Sequence, residues 1–350
     1  MREGWTYKKL GEVCELYQPQ TISSKELIED GLYPVYGANG VIGRYDKYNH
    51  EHSELLMTCR GATCGTINIS TPFAWINGNA MVIHPKSYDI TIPFLAFQLR
   101  GIDLSDIITG AAQPQITRQT LTNKKIGVPS LQEQQQIVSE LDLLSSVIEK
   151  QKAQIEELDK LAQSIFYDMF GDPVENEKGW EVKKLSEICK LFAGGDVPKE
   201  RFSKTKTEEY KIPIFSNGIE EHGLYGYTDI PKVKDKCITI SGRGTIGHVE
   251  KRCEEFYPII RLLCVIPIVP MNISYLTHYA KAKNFKGNGV AIPQLTVPMI
   301  KNSLCPLPPL ELQNHFAKKM ESIEYQKELI QKSLDEVEVL YNSRMNFWFN

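Results

Sequence analysis

The sequence contains no run of about 18 apolar residues, so no membrane-spanning helix is expected. Its opening, Met1-Arg2-Glu3-Gly4-Trp5, lacks the apolar core of a signal peptide. Eight cysteines are scattered without a single CxxC pair, which argues against a zinc ribbon and against a dense disulfide scaffold. There is no Gly-rich loop ending in Gly-Lys-Ser/Thr, so no ATPase site is visible. The [Asn/Asp]-Pro-Pro-aromatic loop expected of an amino-methyltransferase is missing too, since Leu307-Pro308-Pro309-Leu310 does not supply it. A surplus of basic charge is also absent: the net charge is −3, so no global basic field announces a nucleic-acid partner. With 42% hydrophobic and 24% charged residues over 350 positions, the composition is that of a two-domain globular protein. The expected setting is reduced and cytoplasmic.

What the chain does have is a tandem repeat. Trp5-Thr6-Tyr7-Lys8-Lys9-Leu10-Gly11-Glu12-Val13-Cys14-Glu15-Leu16 is answered by Trp180-Glu181-Val182-Lys183-Lys184-Leu185-Ser186-Glu187-Ile188-Cys189-Lys190-Leu191, half a chain length later. Four further pairs keep the same order. Tyr33-Pro34-Val35-Tyr36 with Asn39-Gly40 matches Ile212-Pro213-Ile214-Phe215 with Asn217-Gly218. Cys59-Arg60-Gly61-Ala62-Thr63-Cys64-Gly65 matches Ser241-Gly242-Arg243-Gly244-Thr245-Ile246-Gly247. Pro114-Gln115-Ile116-Thr117 matches Pro293-Gln294-Leu295-Thr296, and Pro129 to Gln134 matches Pro308 to Gln313.

Each half divides again. Residues 1–130 and 171–309 are rich in Gly, Pro, Tyr and β-branched residues, with short apolar runs such as 237–240 and 262–266 that read as strands. Residues 131–170 and 310–350 contain no Pro and no Gly. Apolar residues at Ile137, Leu141, Leu144, Ile148, Ile155, Leu158, Ala162, Ile165 and Met169 keep an alternating four-and-three spacing that only Gln151 interrupts, the heptad pattern of a helix packed along a seam. The second series, Phe316 to Trp348, is broken at Lys327 and Arg344. Each such helix would span about 60 Å at roughly 1.5 Å per residue. The fold class expected is α+β: two pseudo-symmetric mixed α/β globular modules joined by two long antiparallel coiled-coil helices. The aromatic segments 166–170 and 341–349 are expected to pack against the second and first modules.

The two helical segments together carry 15 acidic and 8 basic residues, whereas the second module carries 20 basic and 16 acidic. Acidic rods are poor DNA ligands, so any nucleic-acid contact would fall on the modules. Their Gly-rich turns flanked by polar side chains are suited to groove edges. The candidates are Asn39, Arg44, Arg60, Thr63, Gln113, Gln115, Thr117 and Arg118 in the first module, and Asn217, Arg243, Thr245, Lys286, Asn288 and Gln294 in the second. A motif present in both halves cannot choose two different sequences. Arg60/Arg243 and Gln115/Gln294 therefore read as fold-holding or phosphate-contacting. Base choice is expected where the halves differ, such as 45–52 or 220–236.

The repeated openings, the 37–45 stretch, the two Gly-Arg segments and the proline-led helix entries resemble the specificity (S) subunit of type I restriction-modification systems, over the whole chain. The resemblance implies two target recognition domains at 1–130 and 171–309, each reading half of a split double-stranded DNA site, with spacer helices at 131–170 and 310–350. It also implies two docked methyltransferase (modification) subunits, with restriction and translocase subunits as further partners. S-adenosylmethionine, ATP and Mg²⁺ are expected on those partners and no cofactor, metal or catalytic residue in this chain.

Two rival readings stand beside it. One is a self-contained enzyme, with Asp172, Glu181 and Lys183 as a nuclease-like set or Cys59 and Cys64 ligating metal with His50, His52 or His84. The repeat mates, Thr6 for Glu181 and Ser241 and Ile246 for the cysteines, argue against both. The other is a coiled-coil scaffold that binds only protein.

Overall fold

The computed structural model describes residues 2–110, 113–287 and 293–350. Contacts divide the chain into two compact units, Met1–Lys152 with Lys332–Asn350, and Ala153–Gln331. Each unit therefore holds one globular module and a segment of each of two long helices, Leu131–Phe170 and Leu310–Phe349.

In the first unit, strands Cys14–Tyr17, Ala80–Pro85, Leu55–Thr58 and Ile67–Ile69 form an antiparallel sheet in that spatial order. Leu55–Thr58 is buried on both faces, which is why it reads as an unbroken apolar run. Cys14–Tyr17 alternates buried and less buried positions, as a strand with one solvated face should. A hairpin, Tyr33–Gly37 with Gly40–Tyr45, carries the short parallel strand Trp75–Ile76 on its other side. A third ribbon pairs Thr6–Lys9 with Lys125–Val128. Helix Ile92–Gly101 lies on the main sheet and joins Leu10, Leu55, Met57, Ile126, Ile137 and Leu141 in one core.

The second unit repeats this plan. Its main sheet runs Cys189–Ala193, Leu263–Pro267, Cys237–Ile240, Val249–Arg252. Its hairpin is Ile212–Phe215 with Leu224–Thr228, flanked by Tyr257–Pro258, and its ribbon pairs Val182–Lys184 with Leu304–Pro306. Helix Ile273–Lys283 occupies the place of Ile92–Gly101. Identical strand orders confirm the duplication at the level of topology.

Within each unit the two helix segments run antiparallel. In the first, Glu140 meets Arg344 and Gln151 Nε2 donates to Ser333 Oγ at 2.7 Å, so rising numbers on one helix face falling numbers on the other. In the second, Asp159 meets Lys327 while Phe166 and Phe170 meet Phe316. The heptad positions face inward, from fully buried Ile137 and Leu141 to Ala162. Lys327 and Arg344, the apparent breaks in the heptad, are the seam's charged partners. Lys327 Nζ lies 2.6 Å from Asp159, and Arg344 grips both carboxylate oxygens of Glu140, which also accepts from Trp348 Nε1 at 3.0 Å.

The aromatic segments pack as expected. Phe349 meets Trp5 and Phe94, while Phe166 and Phe170 meet Tyr275. Cys14 and Cys189 are core residues whose thiols burial pushes up to about 12.

Candidate nucleic-acid interface

In both units the repeated motifs converge on one corner of the module. The main-sheet strand Leu55–Thr58 leads into the Gly-Arg loop of residues 59–65, and Cys237–Ile240 leads into residues 241–247. The Pro-Gln segment lies against each loop. Ile116 N–H donates to the Cys59 carbonyl at 2.9 Å, and Leu295 N–H donates to the Gly242 carbonyl at 2.8 Å. In each unit the arginine is the residue after that acceptor, Arg60 or Arg243, and both arginines are exposed. Arg243 Nη2 donates to Gln294 Oε1 at 3.2 Å. Gln115 is held through its backbone, bridging Arg60 on one side and Thr109 on the other. Gly247 closes the loop at φ +83°, where a Cβ would stand 2.4 Å from the Phe285 carbonyl oxygen.

The hairpin turn joins the same corner. Asn39 Oδ1 accepts from Thr58 Oγ1 at 3.0 Å. Asn217 Oδ1 accepts from Gly242 N–H at 2.8 Å, and its Nδ2 donates to the Ile260 carbonyl. Thr63 and Thr245 are exposed within the loops, and their carbonyls accept from Thr66 and His248 N–H, each at 3.1 Å. Thr117 caps the short helix Arg118–Thr122, on which Arg118 is exposed; Gln113 and Lys286 are exposed as well. Asn288 lies outside the described residues. Arg44 stands apart from the corner. Its guanidinium donates to the Gly31 carbonyl at 2.5 Å and the Leu32 carbonyl at 2.8 Å, so it closes its own upstream loop.

The second unit adds a feature not found among the described residues of the first. Ile260 and Arg261 follow one another at φ +50° and +64°. Exposed Ile260, exposed Arg261, Arg243 and Gln294 gather at the corner, and a cleft of about 290 Å³ is bordered by the last three. A larger cavity of about 630 Å³ lies elsewhere in that unit, and several of its lining charges are already paired. Lys251 pairs with Glu324 at 2.8 Å, Lys327 with Asp159, and His248 with Glu250 at 2.8 Å.

The residues of the enzyme readings do not assemble. Asp172 Oδ1 accepts from Val174 and Glu175 N–H in a turn, while Glu181 and Lys183 form a surface pair at 3.1 Å. His84 is taken by Glu54 at 2.9 Å, and His50 by Tyr17. Among the described residues no group of three or more His, Cys, Asp or Glu is placed to hold a metal ion.

The residues that sequence reasoning passed over are Gln134 and Gln313. Both are buried, at 0% and 2% exposure, in the first turns of the long helices. Gln134 Oε1 accepts from Thr91 N–H and Oγ1 at 2.9 and 3.2 Å, and its Nε2 donates to the Asp89 and Pro129 carbonyls. Gln313 does the same with Asn272 N–H and the Pro308 carbonyl. These two side chains join helix to module, and the signal for them was their place in the repeat.

The family model for the type I restriction modification DNA specificity domain matches the chain twice, over residues 2–160 and 177–339. A type I specificity subunit of Mycoplasma pneumoniae, S.MpnORF507P, is 29% identical over 91% of this chain and 89% of its own length. The MjaVIII specificity subunit of Methanocaldococcus jannaschii is 22% identical over 98% of this chain and 92% of its own length. Among solved structures, the type I S subunit from M. genitalium superposes with a TM-score of 0.67 at 16% identity, covering 99% of this chain and 96% of that one. A chain from a type I restriction-modification assembly superposes with a TM-score of 0.56 at 18% identity, covering 100% and 98%. At these identities the two superpositions speak for the fold.

Proposed function

The chain belongs to the type I restriction-modification DNA specificity family, and from that premise we propose that each of its two modules reads one half of a split double-stranded DNA site. The observation that carries this reading is the corner built twice on one frame, with exposed Arg60, Thr63 and Arg118 beside half-buried Gln115 in the first unit, and exposed Arg243, Thr245 and Lys286 beside half-buried Gln294 in the second. Phosphate contacts position a protein on the duplex and base contacts specify sequence. The repeated arginines supply the first, and the parts that differ supply the second. The long helices set the distance between half-sites.

Each unit also leaves apolar side chains exposed on its helix segments, Leu143, Val339 and Leu340 in the first and Leu161, Tyr325 and Leu329 in the second. We assign them to two methyltransferase subunits, with restriction subunits as further members of the complex. On this reading the chain is non-catalytic and cytoplasmic. S-adenosylmethionine, ATP and Mg²⁺ belong to its partners.

Methylation-aware sequencing of host DNA, with and without the gene, tests the proposal. A bipartite motif that disappears with the gene is the expected result. Exchange of residues 1–130 for the module of a relative should then change one half-site and leave the other intact. A change in both halves, or in neither, would refute modular reading.

A further inference from the structure

The connection between the flanking strand and the main sheet differs by one residue between the modules. In the first unit Asn77, Gly78 and Asn79 link Ile76 to Ala80. In the second, Ile259, Ile260, Arg261 and Leu262 link Pro258 to Leu263. The strands on either side are equivalent, because Ala80 pairs with Thr58 as Leu263 pairs with Ile240. The extra residue is absorbed by placing Ile260 and Arg261 in the left-handed region. That region is costly for any side chain and most costly for a β-branched one. Such backbone persists only where its surroundings over-determine it.

The surroundings here do so. Ile260 N–H donates to the Gly195 carbonyl at 2.8 Å, and Arg261 N–H donates to the Gly194 carbonyl at 3.2 Å. Asn217 Nδ2 donates to the Ile260 carbonyl at 2.5 Å. A Cβ on Gly194 would stand 2.7 Å from Ile259 N, so only glycine permits this approach. All of these contacts hold the backbone. The two side chains they present are exposed, and no described residue is seen accepting from the Arg261 guanidinium. The neighbouring arginine of the corner, Arg243, is by contrast tied to Gln294. A backbone held by these hydrogen bonds, presenting at the module's candidate DNA face a guanidinium that no described residue engages, is built to aim that group.

We propose that Arg261 is a base-reading residue of the second module, selecting guanine at one position of the second half-site, with the strained Ile260 as its positioning residue. The assignment rests on the reading that the modules contact DNA. Guanine is the base named because its O6 and N7 offer paired acceptors in the major groove that match the guanidinium fork.

The test uses the full chain with its methyltransferase partner and maps methylated motifs. Arg261→Gln and Arg261→Ala should each lower discrimination for guanine about tenfold to a hundredfold at a single position of one half-site. The other half-site should be unchanged, and so should the thermal midpoint, because the side chain holds nothing in the fold. Ile260→Gly should relieve the backbone, leave the midpoint equal or higher, and relax the same position. A motif unaltered by every variant would overturn the proposal while leaving modular DNA reading intact. So would a loss of methylation uniform across all sites, which marks a phosphate contact. Failure of the unaltered complex to yield any bipartite motif would overturn both.

Discussion

The two units share a frame and differ in how the long helices are fixed to it. In the second, Phe316, Phe166 and Phe170 stack with Tyr275 and His278 in a closed aromatic cluster. In the first, the residue equivalent to Phe316 is Ile137, and the aromatic contact comes from Trp5, Phe94 and half-buried Phe349. There Arg2 lies over Trp348, 4.1 Å from its ring centre, at the solvent edge. What the units keep in common is polar: Gln134 and Gln313, each buried at a helix start. Duplicated modules can exchange one apolar packing for another of similar volume. They cannot move a buried amide whose partners are backbone groups.

That contrast orders the expected effects of substitution. Phe316→Ala should be the most damaging, costing about 3–5 kcal/mol, the range for emptying a fully buried aromatic site. Ile137→Ala, at an equally buried position, should cost about 2–4 kcal/mol. Denaturant unfolding followed by hydrogen exchange reads each unit separately. If Phe316→Ala lowered both units equally, the two would unfold as one and the comparison would lose its meaning. Next comes Gln134→Leu, which fills the space but leaves Thr91 N–H and the Asp89 carbonyl without the side chain that satisfies them. Its expected cost is about 2–3 kcal/mol, with Gln313→Leu similar or smaller because Gln313 makes fewer bonds.

The periodic features of this architecture were legible in the sequence. A heptad or a repeat is written in letters at fixed distance, so the long helices, their antiparallel pairing and the two modules could be read directly. Features that depend on which strand pairs with which could not. Arg44 sits in a Gly-rich stretch that looks like a reading loop, yet it binds carbonyls 12 and 13 residues upstream. The one-residue insertion at 259–262 is invisible until the register of the flanking strands is known. Gln134 and Gln313 appeared as matched letters, but their task is defined by chain segments more than 40 residues away. Lys327 and Arg344 looked like defects because a heptad template scores charge as error. Each is the half of a pair whose other half lies on the opposite helix.

Those pairs give the smallest and most conditional difference between the units. Glu140 and Arg344 are each about one-third exposed, so solvent screens them and the pair is worth at most about 1 kcal/mol. Its signature is pH. Bonding to Arg344 is the main influence that holds the Glu140 carboxyl below its ordinary range; partial burial opposes it, and Trp348 adds to it. A carboxyl depressed in the folded state contributes stability above its unfolded value and loses it as pH falls through the folded one. Glu140→Gln should therefore be less stable than the natural chain near neutrality, and the gap should close on acidification below the usual carboxylate range. Urea midpoints for the first unit measured from pH 7 downward provide the check. High salt should narrow the same gap at neutral pH, because it screens a part-exposed pair. A gap that stayed constant from neutral to acid pH would mean that Glu140 acts through the geometry of its hydrogen bonds to Arg344 and Trp348, with its charge irrelevant. The first seam would then differ from the second in shape alone.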